Sequence, residues 1–325
     1  MTKIIKWGMI GAGDVTEVKS GPAFKKVAHS DLVAVMRRDE VKVQDYAARH
    51  GIRKWYTDAQ KLIDDDEVNA VYIATPPDTH LQYGIMALRA GKAVYMEKPV
   101  TVNVEEAERL YAYLQKEGGR LSVAHYRREQ PYFKKIQQII ADGLIGNTRV
   151  VTLQLLKKSL TKEMLQDPKI AWRLDPAKSG GGLFHDLAPH QLDIVYRLFG
   201  SIEQSDGLAL NQGKAYLADD VVTGRILFES KVLFNGLWAF NTNEEMDRCE
   251  IVGSKGKLVF SFFTPHTLEL VNEDGVQHFH FDPLPHVQQP MIEAVVRYLR
   301  GEGTNPCPIE DALAVAAIME NFTNK

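Results

Sequence analysis

The first third of the chain repeats one pattern, in which a short run of β-branched and other apolar residues precedes a longer amphipathic stretch. Such runs are typical of buried strands, and apolar positions recurring every three or four residues are typical of helices. Strands that alternate with helices predict βαβ units and a parallel sheet. The predicted strands are Ile4–Ile10, Leu32–Met36, Ala70–Ala74, Ala93–Met96 and Leu121–Ala124, and the helices are Val41–His50, Leu81–Ala90 and Val104–Lys116.

The pattern changes after Tyr126, where a helical stretch runs through Ile140 and long alternating strand runs follow. Tight turns such as Glu229-Ser230 between these runs are typical of antiparallel neighbours. The sequence therefore predicts an α/β domain over residues 1–124 and an α+β domain with a mainly antiparallel sheet over residues 125–325. The strand runs are Thr148–Leu156, Val221–Phe228, Lys231–Phe240, Cys249–Val252, Lys257–Phe262 and Thr267–Val271, and the closing helices are Pro290–Arg300 and Glu310–Phe322.

A length of 325 residues favours two domains rather than one. The composition is typical of a globular protein, because 45% of the residues are hydrophobic and 25% are charged. The 39 basic and 42 acidic residues are well mixed, which disfavours a nucleic-acid partner and favours small-molecule chemistry. Cys249 and Cys307 lie far apart without metal-type spacing, so neither a disulfide framework nor a metal site is predicted. With no export signal and no apolar stretch long enough to span a bilayer, we expect a cytoplasmic protein without membrane attachment.

A glycine motif follows the first predicted strand. Gly11-Ala12-Gly13 is the turn that lets a backbone approach a pyrophosphate at a helix N-terminus, which Asp14 and Val15 would begin. The third glycine of the motif is replaced by Thr16, so either the helix starts farther from the strand or the hydroxyl packs in its place. Glycine is a common turn residue, but the position between a strand and a helix favours dinucleotide binding.

Two arginines, Arg37-Arg38, end the second predicted strand, where an acidic residue commonly binds an adenosine ribose. Their permanent charge and paired donors suit a 2′-phosphate, so NADP is predicted in preference to NAD. Alternatively, the two arginines form a solvated surface pair and Asp39 or Glu40 binds the ribose.

Chemistry-bearing residues also follow the third and fourth predicted strands, at Thr75–His80 and at Glu97-Lys98-Pro99. Open α/β sheets bind their ligands at the carboxyl ends of the strands. A lysine held there between an acid and a proline is poorly explained by solubility alone. Lys98 is therefore a candidate for the chemistry.

A second cluster lies in the predicted α+β domain, where Gly180-Gly181-Gly182 precedes Asp186 and His190. The i, i+4 spacing places this carboxylate and imidazole on one helical face, so Asp186 can orient or tune His190. Many helices carry such a pair without chemistry, but the glycine run and Lys98 favour a functional role.

Together these motifs resemble the Gfo/Idh/MocA family, which includes glucose–fructose oxidoreductase and inositol dehydrogenase, over nearly the whole chain. The resemblance implies a Rossmann domain, then an open, mainly antiparallel sheet that often forms a subunit interface, here of a homodimer or homotetramer. It also implies NAD(P)-linked chemistry on a sugar, cyclitol or related polyol.

Residue by residue, the resemblance implies that Lys98 is the catalytic lysine, His190 the acid or base, and Asp186 its neighbouring carboxylate. Trp172-Arg173 resembles a segment that reaches the cofactor in some relatives, although a packed aromatic beside a surface charge is an equal alternative. Tyr126 either lines the cleft or begins a helix. The predicted cofactor residues are Gly11, Gly13, Asp14, Val15, Arg37, Arg38, Thr75, Pro76, Pro77, His80, Glu97, Lys98, Trp172 and Arg173, and the substrate residues are Lys98, Tyr126, Asp186 and His190.

Oxidation of an alcohol by hydride transfer requires the hydroxyl proton to leave. A neutral His190 would accept that proton while Lys98 stabilises the developing oxyanion, or Lys98 would exchange the proton itself. Two other functions stay open: a glycoside hydrolase of the same fold that reduces and reoxidises a bound NAD, and a non-catalytic dinucleotide-binding protein.

Overall fold

The computed structural model describes residues 4–323. The first three residues of the predicted α/β domain and the last two of the α+β domain lie outside the described residues. The chain forms two compact units, one made of residues up to Gln130 together with Leu284–Leu313, and the other of Pro131–Pro283 together with residues from Ala314 onward. These units differ from the predicted division at residue 124, because a late segment of the chain returns to the first unit.

The first unit contains a six-stranded sheet in the order β3-β2-β1-β4-β5-β6, with every neighbouring pair parallel. This doubly wound order reverses direction between β1 and β4, which is where such sheets bind ligands. The strands are β1 (Ile5–Ile10), β2 (Ser30–Met36), β3 (Lys54–Tyr56), β4 (Ala70–Ile73), β5 (Ala93–Met96) and β6 (Leu121–Val123). The helices are α1 (Asp14–Val18), α2 (Ala23–Lys26), α3 (Glu40–Arg49), α4 (Ala59–Ile63), α5 (His80–Arg89) and α6 (Val104–Glu117), with 3₁₀ turns at Pro77–Thr79 and Tyr126–Glu129.

The second unit contains an eight-stranded sheet in the order β14-β13-β12-β11-β7-β10-β9-β8, in which only the β7 and β10 pair is parallel among the described strands. Its helices are α7 (Pro131–Ala141), α8 (Lys162–Gln166), α9 (Pro168–Leu174), α10 (Pro176–Ser179) and α11 (Gly182–Phe199). Its strands are β7 (Thr148–Lys158), β8 (Ile202–Leu210), β9 (Val221–Phe228), β10 (Leu233–Thr242), β11 (Met246–Gly253), β12 (Gly256–Phe260), β13 (Thr267–Asn272) and β14 (Gly275–His280). The fold class is as predicted.

The late segment covers one edge of the first sheet. The backbone N–H of Val123 in β6 donates to the carbonyl of Cys307, and the Asn305 amide donates to the Leu121 carbonyl at 2.7 Å. The helix α12 (Gln289–Arg300) buries Met291, Val295 and other apolar side chains in the same core. The last helix is α13 (Ile309–Thr323).

One predicted helix is wrong at its start. The stretch from Tyr126 to Ile140 was expected to be continuous, but a 3₁₀ turn ends at Glu129 and α7 begins at Pro131. The cause is local, since a proline disfavours the helical conformation in the residue before it, and Gln130 is extended with ψ of 136°. No helix among residues 4–323 has the length and apolar content needed to cross a membrane.

Candidate active site

The glycine turn after β1 packs directly against the end of β4. Gly11 has φ of +100°, and a Cβ atom on it would lie 2.7 Å from the carbonyl carbon of Ala74 and 2.8 Å from the Thr75 nitrogen. Any side chain at this position would therefore collide with backbone that cannot give way. The turn and the Thr75 segment form one continuous backbone surface at the point where the strand order reverses.

Thr16 compensates for the missing third glycine of the motif. Its side chain is fully buried, and its hydroxyl accepts from the Gly13 backbone N–H at 3.0 Å and donates to the Gly13 carbonyl at 2.7 Å. The Thr16 hydroxyl therefore packs where the motif has its third glycine, and it closes the turn through two hydrogen bonds with Gly13. Asp14 and Val15 form the first turn of α1, which is only five residues long.

The helix α1 is held by α3 through an ion cluster. The Arg49 guanidinium donates to both carboxylate oxygens of Glu17 at 2.8 Å, and the His50 ring lies 2.9 Å from the same carboxylate. Hydrogen bonding by Arg49 lowers the pKa of Glu17 to about 2. From the buried side, the Tyr46 hydroxyl donates to the Thr16 carbonyl at 2.9 Å. A helix this short is therefore fixed by its neighbours.

The two arginines after β2 have different surroundings. Arg37 is half-buried, and its guanidinium donates to the Ala12 carbonyl in the glycine turn at 2.9 Å. Arg38 is exposed at the same strand end. Asp39 caps α3 by accepting from the Lys42 backbone N–H at 3.0 Å and also pairs with the Lys42 ammonium at 3.0 Å. Arg37 thus supports the turn, whereas Arg38 presents its charge to solvent.

The Thr75–His80 segment is braced internally. The hydroxyls of Thr75 and Thr79 lie 2.7 Å apart, and Pro77 is buried beside the half-buried Pro76. The His80 ring is fully buried, with one nitrogen 2.8 Å from the Thr75 carbonyl and the other 3.0 Å from the Pro99 carbonyl. Burial lowers the pKa of His80 below its ordinary value. His80 therefore braces the ends of β4 and β5, and its predicted contact with the cofactor stays a prediction.

The Glu97-Lys98-Pro99 segment follows β5, and its Lys98–Pro99 peptide bond is cis. Glu97 is buried, and its carboxylate accepts from the Tyr72 hydroxyl at 2.5 Å and from the Gln288 amide at 2.6 Å. Lys98 is half-buried directly beside it. Gln288 was not found from the sequence, because a glutamine before a helix carries no motif. Tyr126 is buried in the 3₁₀ turn after β6, with the Arg127 guanidinium 5.6 Å from its ring centroid.

In the second unit, the glycine run forms the sharp entry into α11. The Ser179 hydroxyl accepts from the backbone N–H of Gly182, the first residue of the helix, at 2.9 Å. Gly180 and Gly182 have φ of +87° and +78°. A Cβ on Gly182 would lie 2.3 Å from that of Ala218, so the loop before β9 packs against the helix start. The glycines at 180 and 182 therefore allow the backbone turn that sets the direction of α11.

Asp186 lies on the first turns of α11 and is paired with Arg173. The guanidinium Nε donates to the carboxylate at 3.1 Å, while the same guanidinium lies 4.5 Å from the Trp172 ring centroid. Arg173 also donates to the Lys169 carbonyl. The Trp172-Arg173 segment thus sits beside the predicted catalytic carboxylate and holds its charge.

His190 is one helical turn farther along α11 and is buried, at 7% exposure. Its ring meets that of Phe263 edge to face, with centroids 6.0 Å apart. Pro189 precedes it within the continuous helix and has no backbone N–H to donate to the His185 carbonyl. The neighbouring Gln191 accepts from the Trp238 indole at 2.6 Å, so this turn of α11 is anchored in the core.

The predicted site residues thus form two groups. In the first unit, the turn at Gly11 and Gly13, the Thr75 segment and Lys98 lie at the carboxyl ends of the neighbouring strands β1, β4 and β5. In the second unit, Trp172, Arg173, Asp186 and His190 lie on α9 and α11, which pack against each other.

Comparison with known proteins matches each unit separately. Residues 5–125 match the model of the GFO/IDH/MocA oxidoreductase family with an NAD-binding Rossmann fold, and residues 133–259 match the GFO/IDH/MocA C-terminal domain. An oxidoreductase of Formosa agariphila is 43% identical over 322 residues, covering 99% of both chains. The myo-inositol 2-dehydrogenase of Thermotoga maritima is 26% identical over 276 residues, covering 82% of this chain and 78% of the relative.

Among solved structures, a levoglucosan dehydrogenase in complex with NADH and levoglucosan matches with a TM-score of 0.87. It is 20% identical and covers 98% of this chain and 96% of its own. At that identity the match establishes the fold, which agrees with both family models.

Proposed function

The chain belongs to the GFO/IDH/MocA family of NAD(P)-dependent oxidoreductases, and from that premise we propose its substrate class, cofactor preference and reacting residues. The substrate is a sugar, cyclitol or related polyol, and a hydride moves between one of its hydroxyl-bearing carbons and nicotinamide. NADP is preferred over NAD. Lys98 and His190 serve the same hydride transfer.

The observation that supports cofactor binding is the contact between the glycine turn and β4. Because Gly11 has no room for a Cβ, the backbone of the turn stays bare at the reversal of strand order, which suits a pyrophosphate. The residues that fit this role are Gly11, Gly13 and Thr75, with Arg38 directed to the adenosine end. When bound, the nicotinamide accepts or supplies the hydride.

Two side chains serve the proton transfer and the charge that develops on the substrate oxygen. The Lys98 ammonium stabilises the oxyanion that forms as the hydroxyl loses its proton, and His190 exchanges that proton. Asp186 lies one turn before His190 on α11, and the bond from Arg173 fixes the position of its carboxylate. Phe263 packs against the ring of His190 and limits its movement.

A screen of sugars, cyclitols and polyols with NADP and NAD tests this proposal. A change of nicotinamide absorbance that depends on one of these substrates supports it. Release of free sugar from a glycoside without net absorbance change indicates the hydrolase instead. Cofactor binding without either reaction across the screen indicates a non-catalytic protein.

Replacement of Arg38 by alanine is expected to weaken NADP binding about tenfold to a hundredfold, which corresponds to the loss of one or two charge-assisted hydrogen bonds. Affinity for NAD is expected to stay nearly unchanged, because NAD lacks the 2′-phosphate. Arg37→Ala is expected to weaken the binding of both NADP and NAD, since Arg37 holds the glycine turn at Ala12. Fluorescence titration of NADPH and NADH measures all four affinities.

Arg53→Ala is the matched control, because Arg53 is an exposed arginine of the same unit, 81% exposed and paired with Glu67. It is expected to bind both cofactors like the original chain. If Arg38→Ala retained full affinity for NADPH, the preference for NADP would lose its basis.

We also propose that the open face of the second sheet joins copies of this chain. Four apolar side chains lie in one row across neighbouring strands, namely Leu227, Leu233, Val150 and Val252. Leu233 and Val252 are each 37% exposed. The adjacent row carries both signs of charge, with Arg225 on β9 and Glu250 on β11, so two copies can meet with opposite charges facing.

Leu233→Lys is expected to convert the oligomer to monomers, because it places an ammonium in the centre of the apolar row. Light scattering coupled to gel filtration measures the mass. Leu144→Lys is the control, since Leu144 is similarly exposed, at 39%, but lies before β7 rather than on the sheet face. A monomeric original chain would rule out this interface.

A further inference from the structure

Gln288 links three parts of the first unit that are far apart in sequence. It is fully buried at the start of α12, and its backbone N–H donates to the Lys19 carbonyl, just after α1, at 3.2 Å. Its amide nitrogen donates to Glu97 at 2.6 Å, and its amide oxygen accepts from the Tyr95 hydroxyl at 3.2 Å. Both ends of the side-chain amide therefore have a hydrogen-bond partner, which fixes the orientation of the amide.

The Glu97 carboxylate is the centre of this cluster. A buried carboxylate needs hydrogen-bond donors to replace water, and here they come from neutral groups. One oxygen accepts from the Tyr72 hydroxyl and from Gln288, and the other accepts from the Lys98 backbone N–H at 3.3 Å. Burial raises the pKa of Tyr72 and Tyr95 well above the ordinary value, so both phenols remain donors.

The cluster therefore acts on the backbone that carries Lys98. Tyr72 and Gln288 fix one carboxylate oxygen, and this fixes the direction of the other oxygen toward the Lys98 amide. The Tyr72 hydroxyl also reaches the Ser20 hydroxyl at 3.1 Å, on the same connection after α1 that Gln288 reaches at Lys19. The segment after α1 and the lysine segment after β5 are thus joined through buried hydrogen bonds.

We infer that Gln288 is a positioning residue for Lys98, which acts through the Glu97 carboxylate. The inference rests on the proposed role of Lys98 in hydride transfer. Gln288 itself touches no reacting atom, so its removal changes the placement of the ammonium rather than the chemistry available. Small errors in such placement are costly, because a displacement of about 1 Å can lower a rate about a hundredfold.

Two nearly isosteric variants test this inference. Gln288→Met removes the amide, and Tyr72→Phe removes the other donor to the same carboxylate oxygen. Both are expected to lower kcat about tenfold to a hundredfold, with the Kd of NADPH changed no more than about threefold. The substrate is the best polyol or sugar found in the screen. In the cofactor-free protein, acetylation of the Lys98 amine by acetic anhydride, followed by mass spectrometry, is expected to change in rate at least about threefold.

Gln130→Met is the matched control. Gln130 is also a buried glutamine, and its amide donates to the Val287 carbonyl at 3.0 Å, next to Gln288 but not to Glu97. It is expected to keep the kcat and the Lys98 labelling rate of the original chain even if its melting temperature falls.

The inference is overturned if Gln288→Met behaves like Gln130→Met in both readouts. Should Gln288→Met fail to fold, original values for Tyr72→Phe overturn it equally. If the original chain turns over no substrate, the proposed function fails, and the labelling rates still decide on Gln288.

Discussion

Lys98→Met is expected to lower kcat about 10³-fold, because methionine keeps the length and packing of the side chain but removes the charge opposite the developing oxyanion. The Kd of NADPH is expected to change little, since the glycine turn and Arg38 are untouched. Steady-state rates with the best substrate and a fluorescence titration measure the two effects separately.

Lys92→Met is the control for this prediction. Lys92 precedes β5 and Lys98 follows it, so the two lysines lie at opposite ends of one strand. The Lys92 ammonium donates to the Asp65 and Val68 carbonyls at 3.1 Å and 2.6 Å, which is a structural role. Its loss is expected to lower stability while the folded enzyme keeps its rate. An unchanged kcat in Lys98→Met would remove that lysine from the mechanism.

His190→Asn is expected to lower kcat/KM about 10²-fold to 10⁴-fold, the usual range for loss of a general acid or base. The pH dependence should change as well, because the limb of the profile that reports imidazole titration disappears. Asp186→Asn is expected to have a smaller effect, since the amide still offers Arg173 an acceptor. Rates measured across pH separate loss of the proton acceptor from simple loss of affinity.

The double variant Lys98→Met/His190→Asn tests whether both groups serve one reaction. Residues that act as a unit have strongly non-additive effects, so the double variant is expected to be little slower than the slower single variant. Losses that simply multiply would place the two groups in separate steps. Small losses in both single variants would contradict the assigned chemistry.

Internal strands were predicted well, whereas three strands were missed. The missed strands are β3, β8 and β14, and each lies at the edge of its sheet. They contain no buried residue, so no apolar run or alternation marks them in the sequence. The edge strand β6 was found, because the late segment covers it and all three of its residues are buried. The sequence pattern therefore reports burial rather than strand formation.

The same contrast applies to the site. Gly11, Lys98 and His190 were predicted because each belongs to a motif with a chemical reason at a defined spacing. Gln288 and the Glu17–Arg49 pair were not, because their partners are distant in sequence and their residue types are ordinary. The bracing contacts of His80 were not predicted either, since only coordinates show both ring nitrogens directed at backbone carbonyls.

The return of Leu284–Leu313 to the first unit has a consequence for how the molecule is made. During translation the first six strands leave the ribosome long before the residues that seal β6 and anchor Glu97 exist. Until residues 284–313 have been synthesised, the first unit therefore lacks the cover on its last strand and one of the donors to the buried Glu97 carboxylate. A shortened chain that ended after β6 would be arrested in that unfinished state.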